Sequence, residues 1–444
     1  MTHRGFVKWI CKVLQNRTSI YCLMKVCYDF IYLFYITKIY DYSGSIADIN
    51  LWKNIMSWAL LILFLALYSK IKECDLKLCM SLLMTLSIVP TLSVFWIGNK
   101  SLIAMAEISI YWIIFEFAMI YCSQKAYRLD KKEAALANCL SNSEVISFVW
   151  AITIILTIYF SYKYGNFRLM VRFEDVYDLR LDSGNYMNTL ESYLFCWTSS
   201  LIIPFCLSVH AVNKKWIFVV IDVLLGLMSY AIYGNKSMFF QLLAVFGLLV
   251  LKYFNVEKRT GDMITGFCLV VPILSGLAEN LLNQRMPIAL CQRMFFIPAE
   301  AHFYYYDFFQ TNPLLFLRQS VLRFFFRDPL PDIASILIGS DIKYNLTGNY
   351  NNLNNGLFSD AYQNFGCIGV LIYPVVMVWL LNILCKAIRD YDPVIKNSLL
   401  IGSILYLLSA YLFSWILTGG YLVTLIMVYA IKHCKLNILY GGKE

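Results

Sequence analysis

Residue types suited to acid–base and anion chemistry crowd together in one run, Arg293-Met-Phe-Phe-Ile-Pro-Ala-Glu300-Ala-His302-Phe-Tyr-Tyr-Tyr-Asp307. A histidine titrates near neutral pH, so His302 can take a proton from a hydroxyl nucleophile, and Glu300 is a nearby carboxylate able to do the same. A lone histidine among aromatics serves equally well as a hydrogen-bonded packing residue. The same stretch of chain carries Arg285, Arg318, Arg323 and Arg327, and an earlier one carries Arg168, Arg172 and Arg180. A guanidinium holds a phosphate or carboxylate with two parallel hydrogen bonds, which makes Arg172, Arg180, Arg285, Arg293 and Arg323 the candidates for a phosphate-rich substrate. Glu174, Asp175, Asp178 and Asp182 offer these arginines ordinary ion pairs as the alternative. The ring of Tyr305 can stack on a sugar face, and Asn355, Asp360 and Asn364 supply sugar-binding donors and acceptors. Six asparagines between positions 345 and 355 fit carbohydrate binding, but asparagine is also a turn former. No Cys/His spacing suits a metal, and none of the fourteen cysteines forms a CxxC pair. We therefore expect no metal and no cofactor.

The elements that position these residues follow from composition. Of 444 residues, 60% are hydrophobic and 15% charged, whereas soluble domains average about 45–50% and about 25%. A soluble enzyme, a disordered chain and a fibrous repeat are excluded. Apolar runs long enough to span a membrane as helices recur twelve times, at about 19–40, 54–69, 78–98, 103–122, 145–164, 191–211, 216–233, 237–253, 263–280, 361–385, 397–416 and 419–434. The third and fourth runs, and the last two, read as tight hairpins. With the N-terminus inside, the inner segments hold 22 Lys and Arg against three (Lys53, Lys100, Lys236) in the short outer turns, as retention of cations on the cytoplasmic side requires. Both termini are then cytoplasmic and the first helix is uncleaved. The inner cations are mostly Lys, which fixes topology, and the outer ones mostly Arg.

Two outer segments are too long to be turns, 163–190 and 281–360, and long insertions of this kind usually carry function. Within the second, Asn312 suits a helix N-cap and Pro313 the first helical position. The spacing predicts an interfacial helix over about 313–327, with Arg323 and Arg327 on one face. Gly366 and Gly369 read as small residues that let the next helix pack closely against its neighbours. The whole chain, 1–444, reads as a single integral membrane domain.

The Arg293–aromatic–Pro298-Ala299 segment, Tyr306-Asp307-Phe308-Phe309 with Asn312-Pro313, and Asn355-Gly-Leu-Phe-Ser-Asp360-Ala-Tyr-Gln-Asn364-Phe-Gly-Cys-Ile-Gly369 together resemble the Wzy-type O-antigen polymerases, the oligosaccharide repeat-unit polymerases. Val176-Tyr-Asp-Leu-Arg180 and Tyr233-Gly-Asn-Lys236 fit the same family. The likeness covers most of the chain by layout and about 60 residues by pattern. It implies an all-α, GT-C-like polytopic protein of the bacterial inner membrane with a partly helical periplasmic loop of about 80 residues. Its activity would be that of a metal-independent glycosyltransferase joining undecaprenyl-pyrophosphate-linked repeat units at the periplasmic face. Its partners would be those lipid-linked substrates, membrane lipids and a chain-length regulator, with no nucleic acid. An O-antigen ligase, or another glycosyltransferase using polyprenyl-linked sugars, is the nearest rival, and a flippase or transporter of lipid-linked oligosaccharide is the alternative from another class. Glu107, Glu116 and Asp222 are the few candidates for the midplane charges such a transporter should carry.

Overall fold

A backbone that enters hydrocarbon must satisfy its own N–H and C=O groups, and a helix does this within one segment. In the computed structural model every regular element among the described residues (17–41, 44–72, 74–133, 143–169, 187–234, 236–339 and 353–433) is helical. Among the described residues ten helices are long and apolar enough to cross a membrane, so the chain is a multi-pass membrane protein. They are α1 (Thr18–Ile39), α2 (Leu51–Tyr68), α3 (Asp75–Ile97), α4 (Leu102–Lys125), α5 (Glu144–Gly165), α6 (Thr189–Val212), α7 (Trp216–Tyr233), α9 (Thr260–Leu282), α12 (Phe358–Ala387) and the broken span Leu412–Lys432. That span consists of α14 (Leu412–Ile416) and α15 (Tyr421–His433). Further helices are α8 (Lys236–Tyr253), α10 (Arg285–Cys291), α11 (Ile297–Thr311) and α13 (Pro393–Ser409), and a short helical segment covers 334–339.

The chain divides into two compact units. The first comprises Met1–Lys132, Arg259–Asn382 and Leu407–Phe413; the second comprises Glu133–Lys258, Ile383–Tyr406 and Ser414–Glu444. In the first unit α3 is the central element, buried along its whole apolar window. Helices α1, α2, α9 and α11 pack on it. Its many hydroxyls satisfy themselves: Thr85 donates to the Ser81 carbonyl at 2.9 Å and Thr91 to the Ser87 carbonyl at 2.7 Å, the usual one-turn-back bond of Ser and Thr in helices. In the second unit α6 packs on α7 and α8 around Ile203, Leu207, Leu225 and Val245.

Three expectations are revised. The predicted turn between the last two runs, near 417, lies instead at Ala410 and Tyr411, and a second break at Leu417–Gly420 divides the final span. The predicted interfacial helix 313–327 does not form. Asn312 ends α11 instead of starting a helix, and the chain proceeds through turns to a single 3-10 turn at Val321–Phe324. The physical reason is competition for backbone donors. The amides of Leu315 and Phe316 donate to the carbonyls of Gln363 (2.9 Å) and Asn364 (3.2 Å), and the Leu317 amide donates to Asn364 Oδ1 at 2.8 Å. Phe316 and Leu317 take positive φ to reach these partners. Finally, Gly366 and Gly369 do not join two helices but fold α12 onto itself. Gly366 is non-helical (φ 54°, ψ −137°), and a Cβ on Gly369 would stand 2.0 Å from the Ala361 carbonyl oxygen.

Candidate functional site

The kink at Gly366 sets residues 358–365 at an angle to the rest of α12, and this short arm carries Ser359, Asp360 and Asn364. It pairs with α11 in the same sense along both segments. His302 meets Phe358 edge-to-face (5.8 Å, 88°), and Tyr306 packs on Tyr362 at 4.9 Å. Leu353 and Asn355 approach from the preceding turn, where Gly356 lies so close to the Leu407 carbonyl that a Cβ would stand 2.1 Å from its oxygen.

His302 sits at the centre of this contact, 1% exposed. Asn355 Nδ2 donates to the Pro298 carbonyl (3.1 Å), which fixes the amide's orientation, and lies 2.7 Å from Ser359 Oγ and 3.1 Å from His302 Nδ1. Ser359 Oγ is 3.0 Å from the same ring nitrogen. The two amide hydrogens of Asn355 go to the Pro298 carbonyl and to Ser359 Oγ, which leaves the Ser359 hydroxyl to donate to Nδ1. With Nδ1 the acceptor, the ring proton lies on Nε2, which donates to Ser87 Oγ at 3.3 Å. Burial without any facing carboxylate pushes the imidazole down to about 3. His302 is therefore a neutral latch joining α11, α3 and the 355–359 turn. No free lone pair is left on it for a hydroxyl nucleophile.

The sugar-binding candidates share this fate. Tyr305 donates to the Leu353 carbonyl at 2.9 Å and lies 3.3 Å from the Tyr411 hydroxyl. Asp360 accepts from the Leu412 amide (2.7 Å), from Gln363 Nε2 (3.1 Å) and from Asn364 Nδ2 (2.9 Å). It thus caps α14 while holding the 313–317 turn in place through Asn364. All four are buried, and their hydrogen-bonding groups are largely spent on the fold. The Oδ1 of Asn355 is the exception, buried with no partner.

A second cluster lies on another face of α11, where Glu300, Tyr304 and Asp307 recur at helical spacing. Tyr32, in a π turn of α1 (Tyr32–Ile36), donates to Glu300 Oε1 at 2.6 Å. Tyr304 donates to the Gly44 carbonyl at 2.9 Å, and the Lys100 ammonium lies 4.6 Å above its ring. Lys53 staples the turn that carries Lys100, donating to the carbonyls of Asn99 (3.0 Å) and Lys100 (2.6 Å). Burial raises the Glu300 carboxyl, with Tyr32 and Lys100 opposing the shift, and burial likewise raises Asp307, with Lys100 opposing. Burial lowers Lys100 while Glu300 and Asp307 hold it up. Glu300 is 3% exposed, but Asp307 is exposed, so it is the carboxylate of this face within reach of a ligand.

The arginines behave differently from the polar core. Arg285, Arg293 and Arg323 are all exposed; Arg285 lies 3.8 Å from Glu279, a loose pair. Arg172 and Arg180 lie outside the described residues. The structure therefore brings His302, Tyr305, Asn355, Asp360 and Asn364 into one buried network. It keeps Glu300 on a neighbouring face and leaves the three described arginines at the surface. Sequence reasoning missed Ser87, Ser359, Tyr32 and Lys100. The four-residue spacing of Asn355 and Ser359 was a readable signal, but the approach of α1 and α3 to α11 was not. Among the described residues no group of His, Cys, Asp and Glu is placed to hold a metal ion.

No family model, no curated protein and no solved structure matches this chain.

Proposed function

We propose that the chain is a glycosyltransferase of the bacterial cytoplasmic membrane that polymerises oligosaccharide units carried on a polyprenyl pyrophosphate, working at the outer face. The observation that carries this reading is the exposure of Arg285, Arg293 and Arg323 in segments flanking α11, which itself presents an exposed carboxylate, Asp307. Arginines at the surface of a membrane protein suit a substrate whose phosphates lie at the head-group level. The resemblance of the 293–313 and 355–369 segments to the repeat-unit polymerases supports the same chemistry.

In the reaction the acceptor hydroxyl attacks the anomeric carbon of the donor sugar, the bond from that carbon to the pyrophosphate oxygen breaks, and the pyrophosphate leaves as an anion. The guanidinium groups of Arg285, Arg293 and Arg323 offset the charge that develops on it. Asp307 receives the hydroxyl proton, its carboxyl kept more basic than usual by partial desolvation against α11's surroundings. Glu300 and Lys100 set the local charge beside it. His302, with Asn355 and Ser359, holds α11 in register and takes no proton.

The test is a deletion strain examined for surface polysaccharide length. Loss of a polymerase leaves the lipopolysaccharide core with one repeat unit. Loss of a ligase leaves polymer on the carrier lipid, and loss of a flippase leaves no outer-face units. A full-length ladder in the deletion strain, with no redundant enzyme present, refutes the reading.

A further inference from the structure

The second unit contains a small cavity whose walls are polar although it is framed entirely by apolar helices. Its volume is about 20 Å³, and Ser200, Gln241, Ser398, Ser403, Tyr406 and Thr424 are among its lining residues. That is room for one water or one bare monovalent ion. Two stretches of irregular backbone meet there. In α6 a π turn at Thr198–Ile202 is followed by Pro204, which has no N–H, so a carbonyl at Ser199 or Ser200 loses its helical donor. In the last span the helix breaks at Leu417–Gly420, with Gly420 at φ 80°. The Gly419 and Gly420 amides donate to the Ser414 and Leu417 carbonyls instead, which leaves the carbonyls of Trp415 and Ile416 without their usual helical donors. Ser200, Pro204, Gly419 and Tyr421 all line the cavity. A third observation is independent of the backbone: Gln241 is 7% exposed, and its Oε1 has no hydrogen-bond partner. Gly402 faces the same amide, where a Cβ would stand 3.4 Å from Nε2.

Irregular backbone at membrane depth persists where it lines a cavity or is covered by protein, and carbonyls released from broken helices are a recurrent way of coordinating monovalent cations. Every lining side chain is uncharged. An anion would find no cationic partner here, and a divalent cation would find no carboxylate. Hydroxyl, amide and carbonyl oxygens around a one-atom space match an alkali cation of sodium's size, a hard ion that replaces its hydration shell with neutral oxygens. We propose that the second unit holds a sodium-binding site formed by Ser200, Gln241, Ser403 and Thr424 with the carbonyls of the α6 π turn and the α14–α15 break.

The proposal is independent of the glycosyltransferase reading, because its readout is ion-dependent stability and not polymer. Purified full-length protein in lipid nanodiscs is unfolded thermally in NaCl, KCl and choline chloride at equal ionic strength. Sodium should raise the midpoint over choline, and above the dissociation constant each tenfold increase in sodium should add about 1.4 kcal/mol of stability. Gln241→Leu, which fills the space with an apolar group, should abolish the sodium response. Thr424→Val provides a second, smaller change should Gln241→Leu not fold, and it should weaken the response. Equal midpoints in all three salts, as for a cavity that holds only water, overturn the proposal. So does an undiminished sodium response in both variants.

Discussion

Substituting His302 with Gln removes a titratable group buried at the junction of α11, α3 and the 355–359 turn. The neutral ring bonds Ser87 on one side and faces Asn355 and Ser359 on the other, with Phe358 edge-on to it. A Gln amide can replace one side of this arrangement but not both, so the variant should lose about 1–3 kcal/mol at neutral pH. The pH dependence is the sharper prediction. Because burial holds the folded-state imidazole near 3, against an ordinary value of about 6.5, the protons that His302 would bind favour the unfolded chain. Its contribution is fully present above about pH 6.5 and is lost progressively as pH falls toward the folded value. From about pH 7.5 to about pH 5 that is roughly 1.5 units of protonation, or about 2 kcal/mol. Glu300, Asp307 and Lys100 titrate in both proteins, so their contributions largely cancel in the difference. Chemical unfolding in detergent at the two pH values should show the wild type losing about 2 kcal/mol more than His302→Gln on acidification. Parallel losses would mean that His302 titrates like an exposed imidazole, and the latch geometry would be refuted.

Arg293→Ala should abolish polymer while membrane levels stay normal, and Arg293→Lys should retain a fraction, since a charge-assisted phosphate contact supplies about 2–4 kcal/mol of transition-state stabilisation; unchanged chain length in the Ala variant, read by gel, removes Arg293 from the site. Asp307→Asn should lower the rate at least about 100-fold with the melting temperature unaltered, whereas Asp360→Asn should shift the melting temperature, because Asp360 is bound to Leu412, Gln363 and Asn364. Gly369→Ala should be worse for folded yield than Gly247→Ala. A Cβ at 369 would run into the Ala361 carbonyl and one at 247 meets nothing within 4 Å, and quantitative blotting of membranes distinguishes the two.

The helical, membrane-spanning character was legible because hydropathy is a property of each segment alone: the runs at 216–233 and 54–69 reappear as α7 and α2 almost residue for residue. The 313–327 segment was misread because its Asn312-Pro313 start signal is local, whereas the donors it would have needed are taken by carbonyls at 363 and 364. Gly366 and Gly369 were recognised as special, but their role depends on a positive φ and on a carbonyl eight residues back, which spacing alone does not reveal. The site shows the same division. Residue chemistry singled out His302, Glu300, Asn355 and Asp360, and all four are buried polar groups close to α11 or on it. Whether each faces a ligand or the fold depends on tertiary partners such as Ser87 and Tyr32, which lie more than 200 residues from α11 in sequence. Lys100 counted in sequence only as a topological charge, and its place over Tyr304 appears once the turns are assembled.

The central claim is tested most directly by supplying the purified chain with a single substrate, an oligosaccharide on polyprenyl pyrophosphate, in lipid nanodiscs with a chelator present. The account predicts a ladder of whole-unit multiples on the carrier lipid and one polyprenyl pyrophosphate released for each bond formed. An intact substrate pool, with no ladder and no released pyrophosphate lipid from protein that is folded and stable, would contradict it.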